Sequence, residues 1–392
     1  MVDLPGLLAD EGALAALGRA VDEGGPPLLR DAKIKITSRC NLRCEMCRYW
    51  RTREEATLQG ERWRAVLGEL AARGCRKVHF SGGEVLLRPD FLELVEHAVT
   101  LGLKTNLTSN GWLLDREAAR RLARAGVNGV SLSLDAARAP LHDAIRGREG
   151  AFERTVRAIG WLTRYARRGR PRVRINCVVM QQNYRQLPRL TALAGELGAV
   201  DLVPMPVDEK GEGRRRLSRR QIERYNRELA PEVLAIRQRL GLPTDEARVH
   251  PFGVSSEEVR LARAGLYARG AHARGPCLVP WLHVFLAWDG RVYPCCMTHG
   301  RTPALGEASA ASAAAIFDGE PYARLRRAFA AGELLPACER CDLFLQENAL
   351  LTEALRARGY LGGQARAPSR ASTSAARAEA PSSAAGGSGA AR

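Results

Sequence analysis

The chain has 392 residues, 45% of them hydrophobic, and carries 60 Lys and Arg against 43 Asp and Glu, a formal net charge of +17. That length holds two or three domains with ample core. No apolar run is long enough to span a bilayer, and the N-terminus lacks the basic start and unbroken apolar core of an export signal. A cytoplasmic protein with no membrane partner is therefore expected, and its ten cysteines point to metal or catalysis rather than disulfides. The positive charge suits an anionic partner. No basic motif interleaved with aromatics argues for nucleic acid, which is disfavoured.

Residues 1–30 read as an N-terminal extension, an amphipathic helix followed by the turn Gly24-Gly25-Pro26-Pro27. From Lys33 short apolar strands alternate with amphipathic helices. The strands are expected at 33–37, 77–81, 104–109, 129–135, 173–180 and 200–204. The helices are expected at 58–73, 89–101, 115–125, 152–168 and 185–197, with apolar residues at helical spacing. Gly74, Gly102, Gly126 and Gly198 stand where helices stop. Six such units predict an α/β fold with a parallel sheet, over residues 31–206, and functional groups at the carboxyl ends of its strands.

After the first strand comes Cys40-x3-Cys44-x2-Cys47. Thiolates suit iron–sulfur clusters or zinc. Four cysteines would ligate every iron of a cubane cluster; three leave one iron open for an exogenous ligand. A zinc knuckle is the alternative, although local zinc sites usually add a second ligand pair. The second strand ends in Ser81-Gly82-Gly83-Glu84, where glycines allow close backbone approach and a carboxylate can accept from an ammonium group. The third ends in Thr108-Ser109-Asn110-Gly111 and the fourth in Ser131-Leu132-Ser133-Leu134-Asp135, followed by His142-Asp143-x2-Arg146-Gly147. Asp135 reads equally as a substrate contact or a turn cap. Arg146 reads as a bidentate carboxylate binder or a surface salt bridge, and Asn176 as a site-lining or a satisfied core amide. Cys75 and Cys177 lack partners at ligand spacing and read as core.

Residues 207–275 read as a basic helical linker, with Arg214, Arg215, Arg216, Arg219 and Arg220 on a solvated face or docking patch and 249–275 irregular. Residues 276–356 hold Cys277-x12-Gly290-x4-Cys295, with Cys296 adjacent, and then Cys338-x2-Cys341. Asp289-Gly290 between two apolar runs signals a hairpin. Four thiolates complete a cluster or a zinc ribbon. Residues 357–392 are Ala-, Ser-, Gly- and Arg-rich and read as a disordered tail.

The cysteine loop, the Gly-Gly-Glu turn and the strand order together resemble the radical SAM superfamily, whose fold is a partial (β/α)6 barrel. The C-terminal cysteines resemble its SPASM/twitch extension in the shorter, four-cysteine form, a β-hairpin plus helix. The resemblance implies a 4Fe–4S cluster on Cys40, Cys44 and Cys47 and S-adenosylmethionine held by Gly82, Gly83 and Glu84. It places Met46 against adenine and Ser133 on a polar group of the cofactor. One auxiliary 4Fe–4S cluster is implied on Cys277, Cys295, Cys338 and Cys341, with Cys296 as the alternative to Cys295. It also implies a flavodoxin or ferredoxin donor, a 5′-deoxyadenosyl radical and hydrogen abstraction; no catalytic base is assigned. A small metabolite such as a sugar or cyclitol is expected as substrate in preference to a peptide, because residues 1–30 leave no room for a leader-recognition domain. A peptide or protein maturase and a non-catalytic metal-binding protein are the alternatives.

Overall fold

Six strands follow the predicted alternation: β1 (Asp31–Lys35), β2 (Lys77–Ser81), β3 (Lys104–Ser109), β4 (Gly129–Ser133), β5 (Arg172–Val179) and β6 (Asp201–Pro206). The structure is a computed structural model that describes residues 3–52, 57–209 and 213–362. Each of these strands pairs in parallel with its sequence neighbour, and they form an open sheet. Alternation along each strand divides it between two environments. Ala32 and Ile34, Val78 and Phe80, and Val130 and Leu132 are buried in the main core beneath the helices. Lys33, Lys35, His79, Ser131 and Ser133 therefore lie on the opposite, inner face.

The helices that accompany these strands are α1 (Leu4–Leu8), α2 (Glu11–Asp22), α3 (Gly60–Ala72), α4 (Phe91–Thr100), α5 (Arg116–Ala125), α6 (Ala139–Arg146), α7 (Ala151–Tyr165) and α8 (Leu187–Glu196). Helix α6 takes in the His142-Asp143-x2-Arg146 segment, where no helix was expected. Pro140 in its first turn and the left-handed Gly147 after its last residue mark both ends.

The C-terminal hairpin was expected in a small cluster-binding extension, with no pairing to the sheet assigned. In the structure β7 (His283–Leu286) pairs in parallel with β1, and β8 (Arg291–Tyr293) and β9 (Gly306–Glu307) extend it antiparallel. The sheet thus has nine strands in the order β6-β5-β4-β3-β2-β1-β7-β8-β9. The open hydrogen-bonding edge of β1 explains the pairing, since an unpaired edge is left without partners for its backbone groups. A second core joins α2 to the C-terminal part through Leu14, Leu17, Trp281, Leu351 and Leu355.

The stretch 249–275 is less irregular than expected. It contains a helix, Ser256–Ala264, opened by a capping box between Ser255 and Glu258. The arginine run is partly engaged: Arg215 pairs with Glu209 at 2.8 Å and reaches Glu45 of the cysteine loop at 3.7 Å. Residues 363–392, most of the expected tail, lie outside the described residues. Among the described residues no helix is long and apolar enough to cross a membrane.

Candidate active site

The loop after β1 is held on two sides by backbone hydrogen bonds. Gly83 N donates to Thr37 O at 2.9 Å and Glu84 N to Arg39 O at 2.8 Å, while Arg43 N donates to Arg146 O at 3.2 Å and Glu45 N to Ile145 O at 3.0 Å. A Cβ on Gly82 would stand 2.4 Å from Thr37 O, and one on Gly83 2.1 Å from Arg39 O. The two glycines are what let the turn after β2 lie against the loop.

Cys44 is buried, and Cys40 and Cys47 are half-buried. Burial, then the neighbouring Cys44, Glu84 and Cys47 charges, push the Cys40 thiol up to about 11. Burial also raises Cys44, against the pull of Arg146. Three thiols in mutual electrostatic reach ionise together only around positive charge, which a metal core supplies. The side chains around them are hydrogen-bond donors: Asn110 Nδ2 lies 3.8 Å from Cys40 Sγ and Arg146 Nη1 lies 3.7 Å from Cys44 Sγ. This donor set fits an iron–sulfur cluster, whose ligand sulfurs carry negative charge.

Glu84 is fully buried, and this chain's own donors occupy both carboxylate oxygens. Oε1 accepts from Leu86 N and Ser109 Oγ, and Oε2 from Asn110 N at 2.7 Å. It joins the ends of β2 and β3, and the Gly82-Gly83 backbone is what faces the loop. Ser133, the last residue of β4, and Asn176, within β5, are register partners, so both stand on the inner face. Met46 packs on a small apolar cluster with Ile145, Met180 and Val207. Arg146 makes the salt bridge that was one of its two readings, with Asp135 and inside the protein instead of on its surface. The two residues form a buried ion pair at 2.6 Å, drawn together because neither charge has water to turn to. Cys75 and Cys177 lie in the main core.

A second thiol group lies at the other end of the sheet. Cys277, Cys295, Cys338 and Cys341 line one cavity, with His272 and Thr298. The hairpin carries Cys295, and a short 3₁₀ turn, Pro336–Arg340, presents Cys338 with Cys341 just after it. Burial, and next the Cys296 charge, push the Cys295 thiol up to about 12, and burial raises the other three. Among the described residues no group of three or more His, Cys, Asp or Glu side chains is gathered to hold a single ion. The four thiols surround a space instead, the arrangement that a multi-atom cluster fits. Cys296 belongs to a different group, with Phe285, Tyr293 and Trp288, and its Sγ lies 3.8 Å from Lys33 Nζ.

Between the two thiol groups lies a set of residues that motif reading missed. Lys35 Nζ sits 3.2 Å from the centroid of the Tyr49 ring, and burial followed by the Lys33 charge pulls its pKa down to about 7. Tyr49 Oη is 3.2 Å from His299 Nδ1. The signal in the sequence was the strict alternation Asp31, Lys33, Lys35 against Ala32, Ile34, which puts two lysines on the inner face. His272, which lines the four-thiol cavity, had no local signal.

The Radical SAM superfamily model matches residues 34–194, and the SPASM iron–sulfur cluster-binding domain model matches residues 277–342. An AdoMet-dependent heme synthase of Methanosarcina barkeri is 37% identical over 168 residues, 42% of this chain and 47% of the relative. A PqqA peptide cyclase of Rhodopseudomonas palustris is 35% identical over 184 residues, 46% of this chain and 47% of the relative. One of Gluconobacter oxydans is 38% identical over 167 residues, 42% and 46%. The chain spans about half the length of the curated relatives it matches. Among solved structures, Streptococcus suis SuiB bound to precursor peptide SuiA has a TM-score of 0.60 at 16% identity, covering 86% of this chain and 76% of SuiB. Native anSMEcpe with bound AdoMet has a TM-score of 0.58 at 18% identity, covering 83% and 95%. These two likenesses concern the fold.

The relatives overturn the expectation of a small molecule in preference to a peptide, because proteins at 35–38% identity are peptide cyclases. That expectation had rested on the shortness of residues 1–30. The helices of that segment pack into the second core, so its length carries no information about what is bound at the strand ends. A radical SAM domain uses S-adenosylmethionine and a 4Fe–4S cluster, and a SPASM domain binds auxiliary iron–sulfur clusters. With a parallel sheet, a three-cysteine loop at its first strand end and a four-cysteine cavity beyond the hairpin, this chain carries a radical SAM domain over residues 34–194 and a SPASM iron–sulfur cluster-binding domain over residues 277–342.

Proposed function

We propose that this chain is a radical SAM maturase that oxidises or cross-links a peptide. Cys40, Cys44 and Cys47 would hold the cluster with the open iron. The Gly82-Gly83 backbone, Ser133 and Met46 would hold S-adenosylmethionine, with Glu84 bracing the turn. Cys277, Cys295, Cys338 and Cys341 would hold one auxiliary cluster. When bound, these groups supply a 5′-deoxyadenosyl radical that takes a hydrogen atom from substrate and a fully ligated centre that takes up an electron.

The residues of this chain position and enclose. The loop contacts from Gly83, Glu84, Arg146 and Ile145 keep three thiols on one side of the strand ends. The inner face offers Lys33 and Asn176 to a substrate. The observation that carries the reading is the identity of 35–38% to peptide cyclases over 167–184 residues.

The test uses anaerobically reconstituted protein with S-adenosylmethionine and dithionite. It is supplied with the small-molecule and peptide pools of cells that express the chain, separated by size. Expected is a peptide-pool component that stimulates 5′-deoxyadenosine formation and loses its effect after protease treatment. A stimulating component that survives exhaustive proteolysis sinks the peptide reading.

A further inference from the structure

We propose that Arg146 raises the reduction potential of the cluster on Cys40, Cys44 and Cys47, and that the paired Asp135 carboxylate lowers it. The proposal rests on the reading of those three cysteines as cluster ligands and is independent of the substrate. Arg146 is 7% exposed and Asp135 is fully buried. One guanidinium nitrogen, Nη2, pairs with Asp135 Oδ2 at 2.6 Å, and the other, Nη1, points at Cys44 Sγ from 3.7 Å. The third, Nε, is buried without a hydrogen-bond partner.

Asp135 is itself fixed. Its Oδ1 accepts from Val178 N at 2.9 Å, its carbonyl accepts from Asn183 Nδ2 at 2.8 Å, and its N–H donates to His142 Nδ1 at 3.1 Å. The end of β4 therefore aims Arg146 at the cysteine loop. Cys40 has the neutral amide of Asn110 at 3.8 Å in the corresponding place.

The sign of the effect follows from electrostatics. Reduction adds a negative charge to a cluster, and a permanent cation at a ligand sulfur favours the reduced form, especially away from water. A guanidinium keeps its charge at every accessible pH. Asp135 opposes it with a negative charge one step further away. The two residues should therefore act on the potential in opposite directions. A purely structural pair would not do this, since losing either partner would disturb the loop alike.

The test is an EPR-monitored redox titration of the reconstituted full chain and its R146M, R146K and D135N variants. The first cluster is identified by the change of its signal on adding S-adenosylmethionine. Expected are a lower midpoint in R146M, a higher one in D135N, R146K between R146M and the unaltered chain, and an unmoved auxiliary cluster. Unmoved midpoints in R146M and D135N, or shifts in the same direction, overturn the proposal. Should R146M fail to take up iron, D135N decides, and a midpoint that stays or falls there overturns it. C44A tests the underlying ligand reading separately. Persistence of the S-adenosylmethionine-sensitive signal in C44A would place the cluster elsewhere, a failure distinct from potentials that do not move.

Discussion

Tyr49, two residues after Cys47, meets His299, four residues after Cys295, through a contact of 3.2 Å between Oη and Nδ1, and the two rings lie within 6° of parallel. The two thiol groups are thus joined by one side-chain pair, 250 residues apart in sequence. Burial, and then Lys35, pull the His299 pKa down to about 4, so the ring is neutral near pH 7 and its Nδ1 is available to the tyrosine. Y49F should keep both clusters and lose about 1 kcal/mol of stability, measured as a lower urea midpoint. Y49A, which also removes the ring beneath Lys35, should lose more. Equal midpoints for Y49F and the unaltered chain would mean that the hydrogen bond contributes nothing.

The two adjacent cysteines of the hairpin should behave differently. Cys295 lines the four-thiol cavity, whereas Cys296 stands by Lys33. C295A should lose about half of the iron and sulfide while keeping S-adenosylmethionine cleavage, since a four-thiolate site deprived of one ligand binds its cluster poorly. C296A should keep its full iron content. The reverse pattern in iron analysis would assign Cys296 as the ligand.

G83A should be destabilised by about 1–3 kcal/mol, because the added methyl group would stand 2.1 Å from the Arg39 carbonyl oxygen. Backbone, unlike a flexible side-chain tip, does not yield easily. The same displacement should reduce iron uptake at the first site. G68A is the control, since its Cβ meets nothing within 4 Å and it replaces a mid-helix glycine of α3. It should be neutral or stabilising, as thermal melts would show.

His142 should give the chain an acid-sensitive step. Its Nδ1 accepts from Asp135 N at 3.1 Å, and burial, with Arg146 adding to it, pulls its pKa from 6.5 down to about 3. The unfolded chain therefore binds more protons than the folded one between those values, and stability falls as pH drops through that window. The slope from this group is about 1 kcal/mol per pH unit. H142N keeps an acceptor near the Asp135 N–H but does not titrate. Urea midpoints of the apo chain at pH 7.5 and 5 should fall further for the unaltered protein than for H142N. Equal losses would exclude His142 as the source.

Much of the architecture was legible because it depends on local pattern. Strands β2 and β3 fall at the expected residues, since alternating apolar positions and glycine stops are carried by neighbours in sequence. Helix α6 was missed because an eight-residue helix has little room for periodicity and because its histidine and arginine, polar by type, are buried. The helix at Ser256–Ala264 was also missed, although Ser255 and Glu258 spell a capping box.

The sequence by itself determined the two thiol sets and their spacing, the parallel strand order and the glycines that let the second strand end approach the loop. Those features follow from covalent order and from residue chemistry. Only the tertiary structure decided that β7 completes the sheet beside β1, that Glu84 is occupied by Ser109 and Asn110, and that Arg146 spans from Asp135 to Cys44. Each is a pairing between residues brought together by packing. Buried polar and charged groups take whichever partner the fold supplies, because water is not there to compete.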